Sequence, residues 1–549
     1  MVGEEDQQLA AGRGTHPAEG PAATIGLEVS QVVELPRPRR ASPPPAAARP
    51  GTAGRAGPTG APDGLHGTGT AGPTGTPDGP HGSGTAGPTG TPDGPHGTGT
   101  RHAPEAQDTA RMYAVITVSV RRRPRAARPA QHAAPRLAEV LLIDHSSSMV
   151  NPPSRLAAAR EAAAAALDRI PDGARFAVVA GRDRAAMIYP QRFGLAVADA
   201  RSRADARIAL HACTPGGGTA MGTWLEMARL LFRELRDVPG KDAFVRHALL
   251  LTDGRNEPGY ESQDKLRERV ETCASEPSEF TCDAVGIGDA WDTDELLLIT
   301  RELGGRASAV GDLTRLSGEF AALTERAAER DITGLRLRLH HRADVTLHSF
   351  EQVHPTRLAL RPVHVDMSAV ESGAGGPIEE YATAAWGEET RDYLVCVSAP
   401  YRPGQLGKVL FLTEVEVDVA GPGADDIELP ESAAVLMRWS DEADLYSRLD
   451  PRVAHYLHEE ELHRTFEQGC TALRTGDRAA AEAHFARSWT LATRTGDTAM
   501  QDQLRKLVDV HSGAAGPAVR LRPVIERFDI EAARIQASTS VLPAVEQDR

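Results

Sequence analysis

Hydrophobic and polar positions follow a strand-and-helix alternation between residues 138 and 330. Short, wholly apolar runs at 140–143 and 248–251 are separated by amphipathic patterns of helix length. Such runs are typical of strands covered on both faces, and their alternation with helices of ten or more residues indicates a mostly parallel sheet. The pattern therefore predicts a doubly wound α/β domain over residues 138–330.

The hydrophobic period changes to two in the segment 331–445. Leu335 and Leu337 alternate with polar residues, and later stretches repeat the pattern. Because this alternation is typical of half-buried strands, the segment predicts an antiparallel β-sandwich. The same period at 113–120, within a strand and basic linker over 109–137, predicts a strand that joins the sandwich, with the α/β domain inserted into it.

Residues 446–515 are predicted to be helical. Thr-Gly-Asp triplets separate three helix-sized segments, and Gly469, Ala481 and Phe485 stand at offsets that resemble one tetratricopeptide repeat. Since a single repeat rarely stabilises itself, the segment is expected to pack on the sandwich as a capping hairpin. Residues 516–549 are assigned to a tail.

Residues 1–108 offer little to bury. A repeat of Gly-Pro-Thr-Gly, followed by Pro-Asp-Gly and a histidine, occurs three times. Proline removes backbone donors and glycine raises the entropy cost of ordering, so the region is expected to be mostly disordered. An apolar stretch at 25–33 leaves one added strand open as an alternative.

Composition narrows the functional classes. The net charge of −15 gives no support to nucleic-acid binding, and the one basic run, at 121–125, lacks interleaved aromatic residues. Five scattered cysteines indicate reduced thiols and not a disulfide framework or a zinc site. With no signal segment and no apolar run of membrane length, the sequence predicts a cytoplasmic protein without a membrane span. The Arg-, Ala-, Gly- and Pro-rich composition is typical of a GC-rich bacterial genome.

Three loops of the α/β domain carry oxygen-bearing side chains. Asp144, Ser146 and Ser148 form an Asp-x-Ser-x-Ser pattern directly after the first core strand. Thr219 follows three glycines before a helix, and Asp253 ends a second core strand. Because ligands bind where an open α/β sheet presents the carboxyl ends of its strands, these side chains are predicted to converge on one point.

The chemistry of these donors indicates a hard cation. All five donors are carboxylate or hydroxyl oxygens, which favour Mg²⁺, or else Mn²⁺ or Ca²⁺, over Zn²⁺ or Cu²⁺. The hydroxyls are neutral, so the protein supplies at most two negative charges. The metal would therefore attract an outside anion, such as an acidic side chain from a protein partner.

These motifs resemble the von Willebrand factor type A family and its metal-ion-dependent adhesion site. The resemblance covers residues 138–330 and includes all five positions in order. It implies that Ser146, Ser148 and Thr219 coordinate the metal directly or through water, and that Asp253 often acts through water. The strand, sandwich and helical tail around the domain are also similar to those of uncharacterised bacterial members.

Simpler roles remain open for each residue. Asp144 and Ser146 are common helix N-caps, Thr219 could cap the following helix, and Asp253 could serve in a turn before Gly254. That capping and turn residues occur by chance at all three of these places is less probable than that the residues share one metal.

The favoured function is a non-enzymatic, Mg²⁺-dependent protein-binding module that acts as an adaptor or scaffold in a bacterial intracellular complex. A metal-assisted phosphoester hydrolase is the first alternative, but it needs a general base that the sequence does not show. The second alternative is a scaffold with a vestigial metal site that binds through its helical tail.

Overall fold

The computed structural model describes residues 23–31, 33–36, 109–122, 136–237, 244–275, 280–421, 424–442, 450–513, 516–540 and 542. Most of the segment 1–108, and with it the prediction of disorder, lies outside the described residues.

The described residues form strands and helices along most of their length. In chain order, the strands are β1 (Ala23–Gln31), β2 (Glu34–Pro36), β3 (Thr109–Arg122), β4 (Arg136–Asp144), β5 (Arg175–Gly181), β6 (Ala186–Tyr189), β7 (Ala196–Val197), β8 (Phe244–Thr252), β9 (Thr281–Ile287), β10 (Ala307–Val310), β11 (Leu335–His341), β12 (Thr346–His354), β13 (Leu358–Ala359), β14 (His364–Asp366), β15 (Ile378–Ala382), β16 (Thr390–Pro400), β17 (Val409–Val419), β18 (Ile427–Glu428), β19 (Ala433–Ser440), β20 (Val508–Gly513) and β21 (Gly516–Leu521). The helices are α1 (Pro153–Arg169), α2 (Ala200–Ala212), α3 (Met221–Arg233), α4 (Gln263–Ala274), α5 (Thr293–Glu302), α6 (Leu316–Glu329), α7 (Ser368–Glu371), α8 (Pro451–Arg474), α9 (Arg478–Thr495), α10 (Thr498–Leu507) and α11 (Arg527–Ala537).

The predicted doubly wound α/β domain is confirmed. Its sheet has the order β10-β9-β8-β4-β5-β6, with β7 beside β5. The five strands from β10 to β5 are parallel, and β6 runs antiparallel at the edge. Strands β4 and β8 are central neighbours in the sheet and are covered on both faces. Their apolar runs are therefore fully buried, as seen at Val140, Leu141 and Leu142 on β4 and at Leu249 and Leu250 on β8.

A buried charge cluster crosses the middle of this sheet. His247 on β8 lies between Glu139 on β4 and Asp283 on β9, with Nδ1 2.9 Å from one Glu139 oxygen and Nε2 3.2 Å from an Asp283 oxygen. Burial by itself lowers the pKa of His247, but the two carboxylates outweigh it and raise that pKa to about 9. Burial raises the pKa of Asp283, yet the bond from His247 outweighs this and lowers it to about 2. The imidazolium thus gives two buried acids a positively charged hydrogen-bond partner.

Two six-stranded sheets form the predicted sandwich. Their orders are β13-β12-β16-β3-β1-β18 and β14-β15-β11-β17-β19-β2. Alternate residues such as Leu335, Leu337 and Leu339 face the shared core and are fully buried, as period-two patterning requires. Most pairings are antiparallel, whereas β1–β18 and β19–β2 are parallel.

The α/β domain is inserted between strands of the sandwich. Strand β3 precedes it, yet β3 pairs with β16 beyond it, from Thr109 opposite Pro400 to Ser119 opposite Thr390. Arg122, at the end of β3, donates to the carbonyl of Glu329 at 2.7 Å and forms an ion pair with Asp331 at 2.7 Å. This arginine therefore ties the chain entering the inserted domain to the chain leaving it.

The C-terminal helices pack on both other parts of the molecule. Gly469 on α8 lets the Phe485 ring of α9 approach closely, since a Cβ there would lie 2.6 Å from the ring. Tyr456 on α8 donates to the buried Asp392 of β16, which also accepts from Thr117 at 2.7 Å. The helical segment is thereby fixed to the sandwich.

Two segments differ from the sequence-based expectation. Residues 23–31 form β1 and pair with β3 from Ala23 opposite Arg122 to Gln31 opposite Ala114, so the alternative of an added strand, and not disorder, applies to this stretch. The segment assigned to a tail contains β21 and α11. The apolar positions of α11 include Phe528, Ile530 and Ile535, but the buried Arg534 interrupts them.

Among the described residues, the helices fall short of the length and apolar character needed to cross a bilayer.

Candidate metal site

Asp144 is held rigidly at the carboxyl end of β4. Its side chain is fully buried, and its two oxygens accept from the Ser146 backbone N–H at 2.8 Å and from the Thr252 hydroxyl at 2.7 Å. Burial raises the pKa of Asp144 to about 6, and the charge of the neighbouring Asp253 adds to the rise. A cation at this point would relieve both effects.

A chain of hydrogen bonds joins the first loop to the third. The Ser146 and Ser148 hydroxyl oxygens are 2.9 Å apart, and the Ser148 hydroxyl donates to Asp253 Oδ1 at 2.6 Å. Asp253 is fully buried at the end of β8, next to β4 in the sheet. Four of the predicted donors thus meet at one edge of the sheet.

Thr219, the fifth predicted donor, faces the same place. Gly254 directly follows Asp253, and a Cβ added to it would lie 3.6 Å from Thr219 Oγ1 and 3.8 Å from Ser148 Oγ. The Thr219 and Ser148 hydroxyls therefore border the same space beside Gly254, which glycine at this position leaves open. The predicted convergence of the three loops is observed.

Backbone hydrogen bonds hold the three loops together. Ser147 N–H donates to the Gly217 carbonyl at 3.0 Å, and Gly216 N–H donates to the His145 carbonyl at 2.8 Å. Between the second and third loops, Glu257 N–H donates to the Thr219 carbonyl at 2.9 Å. The donors are consequently positioned before any ligand arrives.

The capping alternatives are wrong for this structure. Helix α1 begins at Pro153 behind the cap residue Pro152, well beyond Asp144 and Ser146. Helix α3 is preceded by Ala220 as its cap residue, without a side-chain capping bond. The hydroxyl and carboxylate oxygens are therefore not used to terminate these helices.

Some residues around the site were not identified from the sequence. Thr252 positions Asp144, and Asn256 accepts from Met221 N–H at 2.8 Å, which ties the third loop to α3. Glu295 on α5 accepts from Asn256 N–H at 2.8 Å, and burial raises the pKa of Glu295 to about 7. These contacts depend on loops distant in sequence, so a single-chain pattern gives no signal for them.

Arg155 on α1 was also missed. Its guanidinium lies 3.1 Å from Asp253 Oδ2 and 3.5 Å from Asp289. Asp253 is thereby engaged on one oxygen by Ser148 and on the other by a positive charge.

The donor set fits a hard divalent cation. Two carboxylates and three hydroxyls converge, and the buried Asp144 lacks a cationic partner among its direct hydrogen-bond contacts. Asp144, Ser146, Ser148, Thr219 and Asp253 would hold the ion, directly or through water, and the ion would supply an electrophilic centre with open coordination. Among the described residues there is no group of three or more His, Cys, Asp or Glu side chains that could hold a metal, so a site here depends on the hydroxyls.

Comparison with known proteins identifies the domain. A family model described as a von Willebrand factor type A domain matches residues 139–309. The chain thus contains a von Willebrand factor type A domain, a module known for metal-dependent protein interactions.

The likeness extends beyond that domain. A solved structure described as von Willebrand factor type A from Catenulispora acidiphila has a TM-score of 0.70 and 25% identity, and the match covers 96% of this chain and 99% of that one. An uncharacterised protein from Synechocystis is 31% identical over 202 residues, which are 36% of this chain and 43% of that protein. This chain therefore spans less than half the length of that curated relative.

A more distant match is proximal thread matrix protein 1 from the mussel byssus, described with a zinc-occupied metal-ion-dependent adhesion site. It is 27% identical, with 36% of this chain and 46% of that chain covered and a TM-score of 0.28. The zinc is a fact about the mussel protein alone.

Proposed function

We propose that this protein is a metal-dependent protein-binding module that acts as an adaptor or scaffold in a bacterial intracellular complex. The observation that carries the proposal is the convergence of Asp144, Ser148, Thr219 and Asp253 at one edge of the sheet. We propose Mg²⁺ as the ion, with Mn²⁺ or Ca²⁺ as substitutes, because every donor is a hard oxygen.

The charge of the site supports an acidic ligand from the partner. Asp144 and Asp253 together bring two negative charges and the neighbouring Arg155 brings one positive charge, so a bound divalent ion would leave the site with one net positive charge. Since hydroxyls and water complete only part of the coordination shell, a carboxylate is a favourable last ligand. The partner is therefore proposed to present a Glu or Asp side chain to the metal.

We further propose that the protein performs no catalytic step. The imidazole of the first loop, His145, is fully buried, and its Nδ1 lies 3.0 Å from the Ile143 carbonyl, so it is not presented to a ligand as a general base. We expect no Mn²⁺-dependent hydrolysis of p-nitrophenyl phosphate by the purified chain. Turnover that disappears in Asp253→Ala would favour the hydrolase instead.

Metal affinity gives the direct test. Asp144→Ala should lower the affinity for Mn²⁺ at least tenfold in isothermal titration calorimetry, which corresponds to a loss of about 1.4 kcal/mol or more. The reason is that this carboxylate supplies half of the negative charge at the site. Ser148→Ala should also weaken binding, and because Ser148 is exposed, this variant separates metal loss from misfolding.

Asp205→Ala is the matched control, since Asp205 is a half-exposed carboxylate on the distant α2. Its Mn²⁺ affinity should equal that of the wild type. If wild type, Asp144→Ala and Ser148→Ala all bind Mn²⁺ with equal affinity, these residues do not hold a metal and the metal-dependent proposal is wrong. If the protein still captures its partner in the presence of a chelator, binding through the helical tail is favoured instead.

A further inference from the structure

The position of Arg155 adds a fixed positive charge to the metal site. Its side chain is 19% exposed, and Nη1 lies 3.1 Å from Oδ2 of the fully buried Asp253. Gly288, which has a φ of +69°, allows this approach, because a Cβ there would lie 2.9 Å from Nη2. Any larger residue at that position would press on the guanidinium, so the arginine has a defined place.

The arginine changes the charge balance of the site. Without metal, Asp144 and Asp253 contribute two negative charges and Arg155 one positive charge, so the cluster carries one net negative charge. A bound divalent cation would turn this into one net positive charge. A metal held by Asp253 would share this carboxylate with the guanidinium, and two positive charges on one partly buried carboxylate would repel each other strongly.

The contact with Asp289 is the weaker of the two that Arg155 makes. Its length is 3.5 Å, and the Asp289 side chain is 69% exposed, so solvent screens it and little free energy is gained. A carboxylate from outside can replace Asp289, and a planar guanidinium is well suited to binding a carboxylate with two parallel hydrogen bonds.

We propose that Arg155 makes metal binding and acidic-ligand binding interdependent. It opposes the metal in the free protein and then helps to hold the carboxylate that completes the metal's coordination. This inference rests on the proposed metal-dependent function and assigns it a specificity-determining residue. A ligand without negative charge would leave the loaded site with uncompensated positive charge and would bind weakly.

The test compares Mn²⁺ binding by the full chain in calorimetry, with sodium chloride or sodium acetate at equal ionic strength. Arg155→Gln should bind Mn²⁺ about tenfold or more tightly in chloride, because the repulsion is gone. Acetate should tighten Mn²⁺ binding in the wild type by a larger factor than in Arg155→Gln. Arg155→Lys keeps the charge and should stay within about threefold of the wild type in chloride.

Arg169→Gln is the matched control, since Arg169 is a half-exposed arginine at the far end of the same helix, and it should behave as wild type. Arg155→Met repeats the measurement should the glutamine variant not fold. If wild type and Arg155→Gln bind Mn²⁺ equally tightly in chloride, the proposed role of Arg155 is wrong. The same holds if Arg155→Lys tightens Mn²⁺ binding as much as Arg155→Gln does. Either result leaves the metal site itself in place. Failure of both wild type and Arg155→Gln to bind Mn²⁺ overturns the metal site itself, and this inference with it.

Discussion

Replacing His247 by leucine should destabilise the α/β domain by about 3–5 kcal/mol, because Glu139 and Asp283 would remain buried in the sheet without their shared cation. The measurement is the denaturant midpoint of the unfolding transition, followed by tryptophan fluorescence. The buried Trp224 and Trp291 report on this domain.

Two further variants sharpen the test. His211→Leu is the matched control, since His211 is exposed on α2, and its stability should change by no more than about 0.5 kcal/mol. Adding Glu139→Leu to His247→Leu should recover part of the loss, because one of the two unpaired acids is then removed. A His247→Leu protein as stable as the wild type would show that pairing with His247 does not stabilise the fold.

The same cluster predicts a pH dependence. The pKa of His247 is raised to about 9 in the folded protein, whereas an unfolded histidine titrates near 6.5. The stabilisation from its protonation is therefore fully present below about pH 6.5 and is lost as the pH rises toward 9. The wild-type midpoint should fall over this interval, and His247→Leu should lack this decline. A parallel decline in both proteins would assign it to other groups.

The second large effect is expected at Arg534 on α11. This side chain is 6% exposed and pairs with Glu467 of α8 at 3.0 Å and with Asp294 of α5, so one arginine joins the tail to the α/β domain. Burial lowers the pKa of Arg534, but these carboxylates outweigh it and raise the value above its ordinary range. Arg534→Met should cost about 2–3 kcal/mol, less than a fully buried pair, because its partners remain partly hydrated.

Hydrogen exchange is the suitable measurement for Arg534→Met. Amides of α11 and of α5 should lose protection, whereas those of β4 and β8 should not. Arg201→Met, at an arginine that is 91% exposed, should leave exchange unchanged. Unaltered protection of α11 in Arg534→Met would mean that the Phe528 contact with Trp291, with ring centroids 6.4 Å apart, suffices to hold the helix.

Local periodicity was enough to predict the architecture, because the central strands β8 and β9 of the α/β sheet are buried along almost their whole length, whereas a sandwich strand such as β11 is buried at alternate positions. Local periodicity was less informative where an element depends on distant partners. Strand β1 pairs with β3, which is far from it in the sequence, and α11 buries Arg534 against carboxylates of α8 and α5 beside the apolar Ala533 and Ile535.

Four of the five candidate ligands could be placed from the sequence because loops at the carboxyl ends of neighbouring parallel strands must meet, whereas Thr219, on the loop between α2 and α3, was placed by its resemblance to the family's motif. That they bind a metal stays a prediction. The supporting residues could not be placed, since Thr252 and Arg155 are ordinary residues until the fold brings them to Asp144 and Asp253. Their roles follow from geometry alone.

The insertion of the α/β domain has a consequence for biosynthesis. Thr109 must find Pro400, and at about 5–20 residues per second the ribosome needs roughly 15–60 s to deliver that partner. During this interval β3 has β1 on one edge, but the edge that later pairs with β16 is open. The apolar face of β3, which includes Ile116 and Val118, is also uncovered. Nascent chains are therefore expected to fold the inserted domain first and to rely on chaperones until β16 emerges.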